Sequence, residues 1–227
     1  MNLSCKKVLI AFDLDDTLIA ENVYLRAAFA EFASKGFATL DKLLEYNNAY
    51  AAINEQVCAE KQNEATEIYR SGEFPVEPVP GAKELLNLLA STGAALAVIT
   101  DGWSRRQRSK LRYSGLEAFF SDIYISEEHG NKDKITGEPF RILSETYPGY
   151  KKFYIGDNPS KDFIKAKEFG WTTVMVRNPA LQYVHPATIP SEEHAPDYTV
   201  CALQKLSLLA GEQFRELRRW RQYSDNK

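Results

Sequence analysis

The sequence predicts an α/β protein with a parallel sheet at its centre, helices on both faces and a small helical domain inserted after the first strand. Short apolar runs alternate with amphipathic stretches, and the first run, Val8 to Phe12, contains no polar residue. Such a run is typical of a strand buried on both faces of a parallel sheet. Several runs end in acidic or glycine-containing segments, whereas residues 20–74 have helical periodicity and no strand-like run.

Length and composition describe an ordinary globular protein. At 227 residues, the chain is long enough for one core domain and a small accessory domain. Its formal net charge of -3 gives no general attraction to nucleic acid or to an anionic membrane. The cysteines, Cys5, Cys58 and Cys201, form neither a disulfide framework nor a metal-binding spacing, which fits a reducing compartment. No apolar run approaches the ~20 residues that span a bilayer, and we expect a cytoplasmic protein.

The remaining elements follow in order along the chain. Leu25, Phe29 and Phe32 repeat at helical spacing within residues 20–74, and the proline-rich residues 75–80 form an extended return linker. Further strands are predicted at residues 94–99, 122–126, 152–155 and 171–176, with an edge strand at 197–200, and further helices at 81–90, 104–113 and after Leu203. Ser104 can cap the helix at 104–113, and Pro159 suits the first turn of a helix after the fourth strand. The core domain therefore comprises residues 1–19 and 75–227, and residues 20–74 form the inserted helical domain.

Carboxylates follow two of the predicted strands. Asp13 and Asp15 come directly after the first strand, and Asp157 follows the fourth. Ligand sites in open α/β sheets lie outside the carboxyl ends of the strands, so we expect these side chains to converge. Like charges that converge share a proton or bind a cation, and a site made only of oxygen ligands is what Mg²⁺ prefers. The sequence therefore predicts a Mg²⁺ site at this edge of the sheet.

A second polar segment, Thr100-Asp101-Gly102, follows the strand predicted at residues 94–99. A hydroxyl group and a glycine backbone at a strand end can hydrogen-bond a phosphoryl oxygen. Thr-Asp-Gly is also a common turn sequence, so Thr100, Asp101 and Gly102 are candidate substrate-binding residues at this point.

The segment Asp13-Leu14-Asp15-Asp16-Thr17 resembles motif I, Asp-x-Asp-x-Thr, of the haloacid dehalogenase-like (HAD) hydrolase superfamily. The resemblance implies that Asp13 is the nucleophile and Asp15 the general acid/base. It also implies a Rossmann-like core and a type C1 helical cap, which this family inserts between motifs I and II. Asp16 stands where many relatives have glycine, and aspartate occurs there in family members too.

The next two motifs of the family are matched in order. Thr100 occupies the position of the phosphate-binding residue of motif II, and the lysine of motif III is either Lys132 or Lys134. Lys134 stands six residues before Phe140, which matches the family's spacing to the following helix, and it is our choice. The proline that often follows this lysine is missing.

Residues 156–162, Gly-Asp-Asn-Pro-Ser-Lys-Asp, resemble motif IV, Gly-Asp-x-x-x-x-Asp. By this resemblance Asp157 is a direct metal ligand, together with Asp13 and the backbone carbonyl group of Asp15. Asp162 has a supporting role, in which it orients water or the motif III lysine.

Together the motifs imply a Mg²⁺-dependent phosphatase that hydrolyses a small phosphomonoester, a nucleotide or sugar phosphate, through an aspartyl-phosphate on Asp13. Asp15 then protonates the leaving alcohol and later activates water, while Thr100 and Lys134 hold the transferring oxygens. The alternatives are a phosphomutase, a haloacid dehalogenase, which needs neither a metal nor an acid at the second aspartate, and a non-catalytic binding module. The expected partner is a small phosphorylated metabolite.

Three further features are given no part in the chemistry. The helix predicted at residues 104–113 carries the basic residues of Arg105–Arg112, which we interpret as a solvated helix face rather than an anion-attracting face near the site. His185 and His194 lie far in sequence from any other ligand cluster and are predicted to be surface histidines. The basic C-terminal tail has no assigned role.

Overall fold

The computed structural model describes residues 7–206, in which a six-stranded, fully parallel sheet has the strand order β3-β2-β1-β4-β5-β6. The strands are β1 (Val8–Phe12), β2 (Ala95–Thr100), β3 (Asp122–Ile125), β4 (Lys151–Gly156), β5 (Thr172–Val176) and β6 (Tyr198–Val200). The five strands and the edge strand predicted from the apolar runs are therefore present, each within a residue or two of its expected bounds. The α/β fold with a parallel sheet is confirmed.

Strand β1 lies at the centre of the sheet, between β2 and β4. All five of its residues are buried, because side chains alternate between two apolar clusters on opposite faces of the sheet. Ile10 and Phe12 belong to the larger cluster, and Leu9 and Ala11 belong to the smaller one. A strand without polar residues is stable in this position because neither face meets water.

Helices cover both faces of the sheet. They are α1 (Glu21–Ser34), α2 (Leu40–Leu43), α3 (Ala49–Gln56), α4 (Ala59–Ser71), α5 (Ala82–Ser91), α6 (Ser104–Ser114), α7 (Glu138–Thr146) and α8 (Ile164–Glu168). Leu85 and Leu86 of α5 and Leu111 of α6 pack into the larger cluster. Phe140 of α7 and Ala166 of α8 pack into the smaller one.

Helices α1 to α4 form the helical insert between β1 and β2. Their apolar side chains join the larger cluster, and the aromatic rings of Tyr24 and Tyr69 meet edge to face with centroids 6.1 Å apart. The segment of residues 75–80 returns beside the entry to the insert, where Ile19 forms an isolated bridge with Pro78. The N–H of Val79 also donates to the carbonyl oxygen of Leu18 at 2.8 Å. The segments that enter and leave the insert are therefore hydrogen-bonded to each other.

Two local expectations were wrong. Pro159 was expected in the first turn of a helix, but it lies in a turn and α8 begins at Ile164. The reason is that the Asp162 carboxylate accepts the N–H groups of Asp157 and Asn158, which holds this stretch as a side-chain-capped turn. Ser104 was expected to cap its helix, but it is the first helical residue and its N–H donates to the Glu127 carboxylate at 2.6 Å.

The helical stretches expected beyond Leu206 and the basic C-terminal tail lie outside the described residues, as does Cys5. Cys58 and Cys201 are exposed free thiols. Within residues 7–206, none of the helices is both long and apolar enough to cross a lipid bilayer.

Candidate active site

The carboxyl ends of β1, β2 and β4 surround a polar cavity of about 160 Å³. The chain leaves β1 towards β2 on one side, and β4 lies on the other, so this is the point at which the strand order reverses. The N–H of Asp13 donates to the carbonyl oxygen of Ile155 at 2.8 Å, which extends the pairing of β1 with β4 into the site. The cavity is lined by Asp13, Asp15, Glu21, Thr100, Asp101, Arg106, Asp157, Asn158, Lys161 and His185.

Asp13 is almost fully buried and paired with Lys134. The Lys134 Nζ lies 2.9 Å from Asp13 Oδ1 and 2.7 Å from Asp162 Oδ1, and this lysine side chain has no exposed surface. Burial raises the pKa of Asp13 to about 7, although the charge of Lys134 opposes the shift. Burial also opposes the charge of Lys134, but the two carboxylates more than compensate and hold its pKa well above the usual value. Lys134 is therefore a permanent cation beside Asp13.

Asp162 is the centre of the loop that follows β4. Its Oδ2 accepts the N–H groups of Asp157 at 3.1 Å and Asn158 at 2.7 Å, and its Oδ1 accepts from Lys134 Nζ. Both carboxylate oxygens are thus engaged by donors of this chain. Asp162 therefore fixes the position of the Lys134 side chain and of the loop at the same time.

Asp157 has a buried carboxylate oxygen that a bound cation would satisfy. Its Oδ2 is buried and has no hydrogen-bond partner within residues 7–206, and burial raises its pKa well above the ordinary value. Carboxylate oxygens of Asp13, Asp157 and Asp162 lie within 4.8 Å of one another. A buried carboxylate oxygen without a donor is costly unless it is protonated or binds a cation. The donor set contains only oxygen atoms and therefore fits Mg²⁺.

Asp15 points away from this carboxylate cluster. Its Oδ1 accepts from Lys110 Nζ at 2.6 Å, and its Oδ2 accepts from Gln107 Nε2 at 2.8 Å. Burial favours the neutral form, but the charges of Lys110 and then Arg106, with these hydrogen bonds, lower the pKa of Asp15 overall. Two predicted carboxylates therefore have different surroundings: Asp13 lies with the cluster, and Asp15 faces α6.

The last residue of β2 and the residue after it both line the cavity. Thr100 is buried, and its Oγ1 accepts from Gln107 Nε2 at 2.5 Å. Asp101 joins two lysine-bearing loops, because its Oδ1 accepts the N–H of Lys134 at 3.3 Å and its Oδ2 lies 3.4 Å from Lys161 Nζ. Gly102 has its N–H bonded to Ser126 Oγ at 3.0 Å, so this amide group is already occupied.

The two lysines that the sequence left in competition have different surroundings. Lys134 is buried against Asp13, as described above, whereas the Lys132 side chain is 57% exposed and lies 3.3 Å from Glu138 on the surface. Lys134 alone of these two reaches the carboxylate cluster.

The interpretation of α6 as a solvated face was wrong for the side that faces the cavity. Arg106, Gln107 and Lys110 are buried there, while Arg105 and Arg112 are exposed as expected. Residues three and four apart share one face of a helix, and the helix begins directly after the polar end of β2. This spacing could have indicated that Gln107 and Lys110 face the site, but the many basic residues of the helix led to the interpretation of a solvated face.

Asp16 joins the helical insert to a later loop. Its φ is +55°, a left-handed conformation that glycine adopts easily and aspartate tolerates better than most residues. Its Oδ1 accepts the N–H of Glu21 at 2.9 Å, and its Oδ2 accepts the N–H of Val184 at 2.7 Å. This positions Glu21 and the neighbouring His185 at the cavity, two residues that the sequence did not select. His185 is exposed as predicted, at the rim of the cavity, and His194 accepts or donates a hydrogen bond with Ser191 Oγ.

The fold and the arrangement of these groups define a class of hydrolase. Residues 10–176 match the haloacid dehalogenase-like hydrolase family, and the chain belongs to this family. The magnesium-bound HAD-hydrolase YfnB from Bacillus subtilis has the same fold, with a TM-score of 0.68 and 21% identity over 90% of this chain and 98% of that one. L-2-haloacid dehalogenase from Xanthobacter autotrophicus shares the fold with a TM-score of 0.64 and 16% identity, over 91% and 99% of the two chains.

Relatives with assigned activities include phosphatases. Glyceraldehyde 3-phosphate phosphatase from Methanocaldococcus jannaschii is 26% identical over 87% of this chain and 94% of its own length. Pyrimidine 5'-nucleotidase YjjG from Escherichia coli is 30% identical over 58% of this chain and 56% of its own length. These two relatives of this HAD-like hydrolase thus act on glyceraldehyde 3-phosphate and on pyrimidine 5'-nucleotides.

Proposed function

We propose that this protein is a Mg²⁺-dependent phosphatase that hydrolyses a small phosphomonoester through an aspartyl-phosphate on Asp13. The observation that carries the proposal is the pairing of Asp13 with a fully buried cation, Lys134 at 2.9 Å, beside the unpartnered buried oxygen of Asp157. Both features belong to a site that gathers negative charge, as phosphoryl transfer requires.

The carboxylates of Asp13 and Asp157, with the backbone carbonyl group of Asp15, would hold the metal ion. When bound, Mg²⁺ neutralises charge on the phosphoryl oxygens and on the carboxylates that surround them. Lys134 remains in contact with Asp13 Oδ1, so the second oxygen of Asp13 is the one that attacks phosphorus. Asp162 keeps Lys134 in place through its 2.7 Å contact.

Asp15 is proposed as the general acid/base. Because neighbouring positive charges lower its pKa, Asp15 first takes up a proton when the negatively charged ester enters the cavity. It donates this proton to the leaving alcohol and then accepts one from the water that hydrolyses the aspartyl-phosphate. Its hydrogen bonds with Lys110 and Gln107 fix the carboxyl group on the side of the cavity opposite the carboxylate cluster. The Thr100 hydroxyl and the Lys134 ammonium group bind the transferring oxygens, and Lys161 lies close enough to Asp101 to complete the positive side of the cavity.

The substrate is proposed to be a small phosphorylated metabolite, a sugar phosphate or a nucleotide, as for the relatives described above. Residues 20–74 are proposed as a type C1 cap domain that determines specificity, and residues 1–19 and 75–227 as the core. Two residues of the insert support this division, because Glu21 lines the cavity and the Tyr69 ring stacks against Arg106. The exposed thiols of Cys58 and Cys201 agree with a reducing, cytoplasmic environment.

The test is hydrolysis of p-nitrophenyl phosphate with Mg²⁺ and with excess chelator. Wild-type protein should turn over the ester only with the metal, and Asp13→Asn should lower kcat by at least about 10³-fold because it removes the proposed nucleophile. The matched control is Asp41→Asn, the same substitution at an exposed residue of α2, which should leave kcat unchanged.

Four results would contradict the proposal. Turnover that survives in Asp13→Asn would exclude this aspartate as the nucleophile. A folded wild-type protein that releases chloride from chloroacetate, but no phosphate from any ester, would favour the dehalogenase alternative. Transfer of the phosphoryl group back to a sugar phosphate rather than to water would favour the mutase, and ligand binding without turnover would favour the binding module.

A further inference from the structure

Arg106 of α6 is a buried cation held in a fixed plane. The residue is 8% exposed, and its guanidinium carbon lies 4.7 Å from the ring centroid of Tyr69 in the helical insert. On the core side a guanidinium nitrogen approaches Gly102 so closely that a Cβ atom there would meet it at 2.9 Å. Stacking and close packing together preorganise the guanidinium group, which reduces the entropy that a ligand would otherwise have to remove.

This cation has a donor without a partner. The Nε of Arg106 is buried and bonds no acceptor in the described part of the chain, although the residue lines the same cavity as Asp13 and Asp15. A buried donor of a charged group is unfavourable unless an acceptor meets it. The missing acceptor is therefore expected on a molecule that occupies the cavity.

The position of Arg106 indicates which part of that molecule it meets. Arg106 stands one turn before Lys110 on α6, and Lys110 Nζ donates to Asp15 at 2.6 Å, whereas the transferring phosphoryl oxygens are assigned to Thr100 and Lys134. Asp15 is the proposed proton donor to the leaving oxygen. Arg106 therefore lies on the side of the leaving group.

Glu21 provides a hydrogen-bond acceptor beside the donor group of Arg106. It stands at the start of α1 and lines the cavity with Arg106, so a fixed donor and a carboxylate acceptor face the same space. A hydroxyl group both donates and accepts hydrogen bonds and satisfies such a pair. A carboxylate on the leaving group would meet the like charge of Glu21. A nucleobase would need a broad apolar face, whereas the ring that this cavity wall offers is the exposed imidazole of His185 at the rim. In the described chain, the residues that line the cavity are all polar or charged.

We propose that Arg106 and Glu21 are the specificity-determining residues of the cavity, and that they bind hydroxyl groups close to the ester oxygen of a polyol phosphate. This inference rests on the proposed phosphatase function. It assigns the helical insert, through Glu21 and the stacking of Tyr69, a direct part in selecting the leaving group.

The experiment compares two esters of equal chain length, glycerol 3-phosphate and propyl phosphate, which differ in hydroxyl groups. Wild-type kcat/KM should be at least about tenfold higher for glycerol 3-phosphate. Arg106→Leu should lower the ratio of kcat/KM for glycerol 3-phosphate to kcat/KM for propyl phosphate by about 10- to 100-fold, the effect of a lost hydrogen bond to a charged group. The ratio cancels any effect that loss of the Arg106 charge has on Asp15, because that effect is common to both esters. The control is Arg105→Leu, whose side chain is 67% exposed and which should change neither value.

Arg106→Lys and Glu21→Gln extend the comparison. The lysine keeps the charge without the planar fork and should recover only part of the selectivity. Glu21→Gln keeps the shape of the side chain and should lower kcat/KM for glycerol 3-phosphate more than for propyl phosphate. An equal loss for both esters in Arg106→Leu would mean that the arginine supports the fold or the chemistry, and would overturn the inference.

Calorimetry separates this inference from the proposed function. The inactive Asp13→Asn protein with Mg²⁺ should bind glycerol 3-phosphate about tenfold more tightly than propyl phosphate, and Arg106→Leu in that background should abolish the difference. If wild-type protein hydrolyses no ester while this binding preference is present, the proposed function fails and the recognition site stands. If the two esters bind equally, the inference fails whatever the enzyme hydrolyses.

Discussion

The buried cation Lys134 should contribute more to stability than any lysine on the surface of this protein. In Lys134→Met, a side chain of similar size and without charge replaces it, and Asp13 and Asp162 lose a partner at 2.9 and 2.7 Å. Removing one partner of a buried pair costs about 3–5 kcal/mol, because the remaining charge is left without compensation. The matched control is Lys132→Met, whose side chain is 57% exposed and whose surface pair contributes about 0–1 kcal/mol.

The assay is urea unfolding in the presence of a chelator, so that no metal ion replaces the missing positive charge. With a slope of about 2–3 kcal/mol per molar urea, Lys134→Met should lower the midpoint by roughly 1–2 M relative to Lys132→Met. Adding Asp162→Asn to Lys134→Met should recover part of the loss, because it removes one stranded carboxylate. A free energy of unfolding within about 0.5 kcal/mol of the Lys132→Met value would refute the assignment of Lys134 as the counter-ion of the site.

Two further predictions concern the metal site and its loop. Burial raises the pKa of Asp13 to about 7 and also raises the pKa of Asp157, so protons compete with Mg²⁺ for both carboxylates. Calorimetry should find a Mg²⁺ affinity that falls by about tenfold or more per pH unit between roughly pH 7 and pH 5, and an affinity that stays level over this range would contradict the prediction. A Cβ on Gly156 would collide with the Asp162 carboxylate, so Gly156→Ala should lower the free energy of unfolding by about 1–3 kcal/mol, measured as a lower Tm, whereas an unchanged Tm would show that the loop adjusts freely.

The strands and the acidic ends of β1 and β4 could be predicted because their signals are local. Val8 to Phe12 is apolar throughout, and a strand buried on both faces allows little else. The convergence of Asp13 with Asp157 follows from parallel strand ends meeting at one edge of the sheet, which needs no knowledge of side-chain contacts. The family resemblance supplied the order of the motifs.

The part that the sequence did not reveal depends on contacts between distant residues. Lys110 bonds Asp15 across 95 positions, and the stacking of Arg106 on Tyr69 joins the core to the helical insert. A helix with several basic residues is usually solvated, so charge pattern alone predicted the wrong face for these side chains. The turn at Pro159 was missed for a similar reason, because the Asp162 side chain replaces helical hydrogen bonds there.

The central claim is that Asp13 forms a covalent phosphoryl intermediate. Asp15→Asn protein can be incubated with p-nitrophenyl phosphate and Mg²⁺, because p-nitrophenol leaves without an acid while hydrolysis of the intermediate lacks its base. Borohydride then reduces an acyl phosphate to an alcohol, and mass spectrometry of the tryptic peptide of residues 8–26 locates the change. We predict homoserine at position 13 and none at position 16. Release of p-nitrophenol with an unmodified Asp13 would contradict the account.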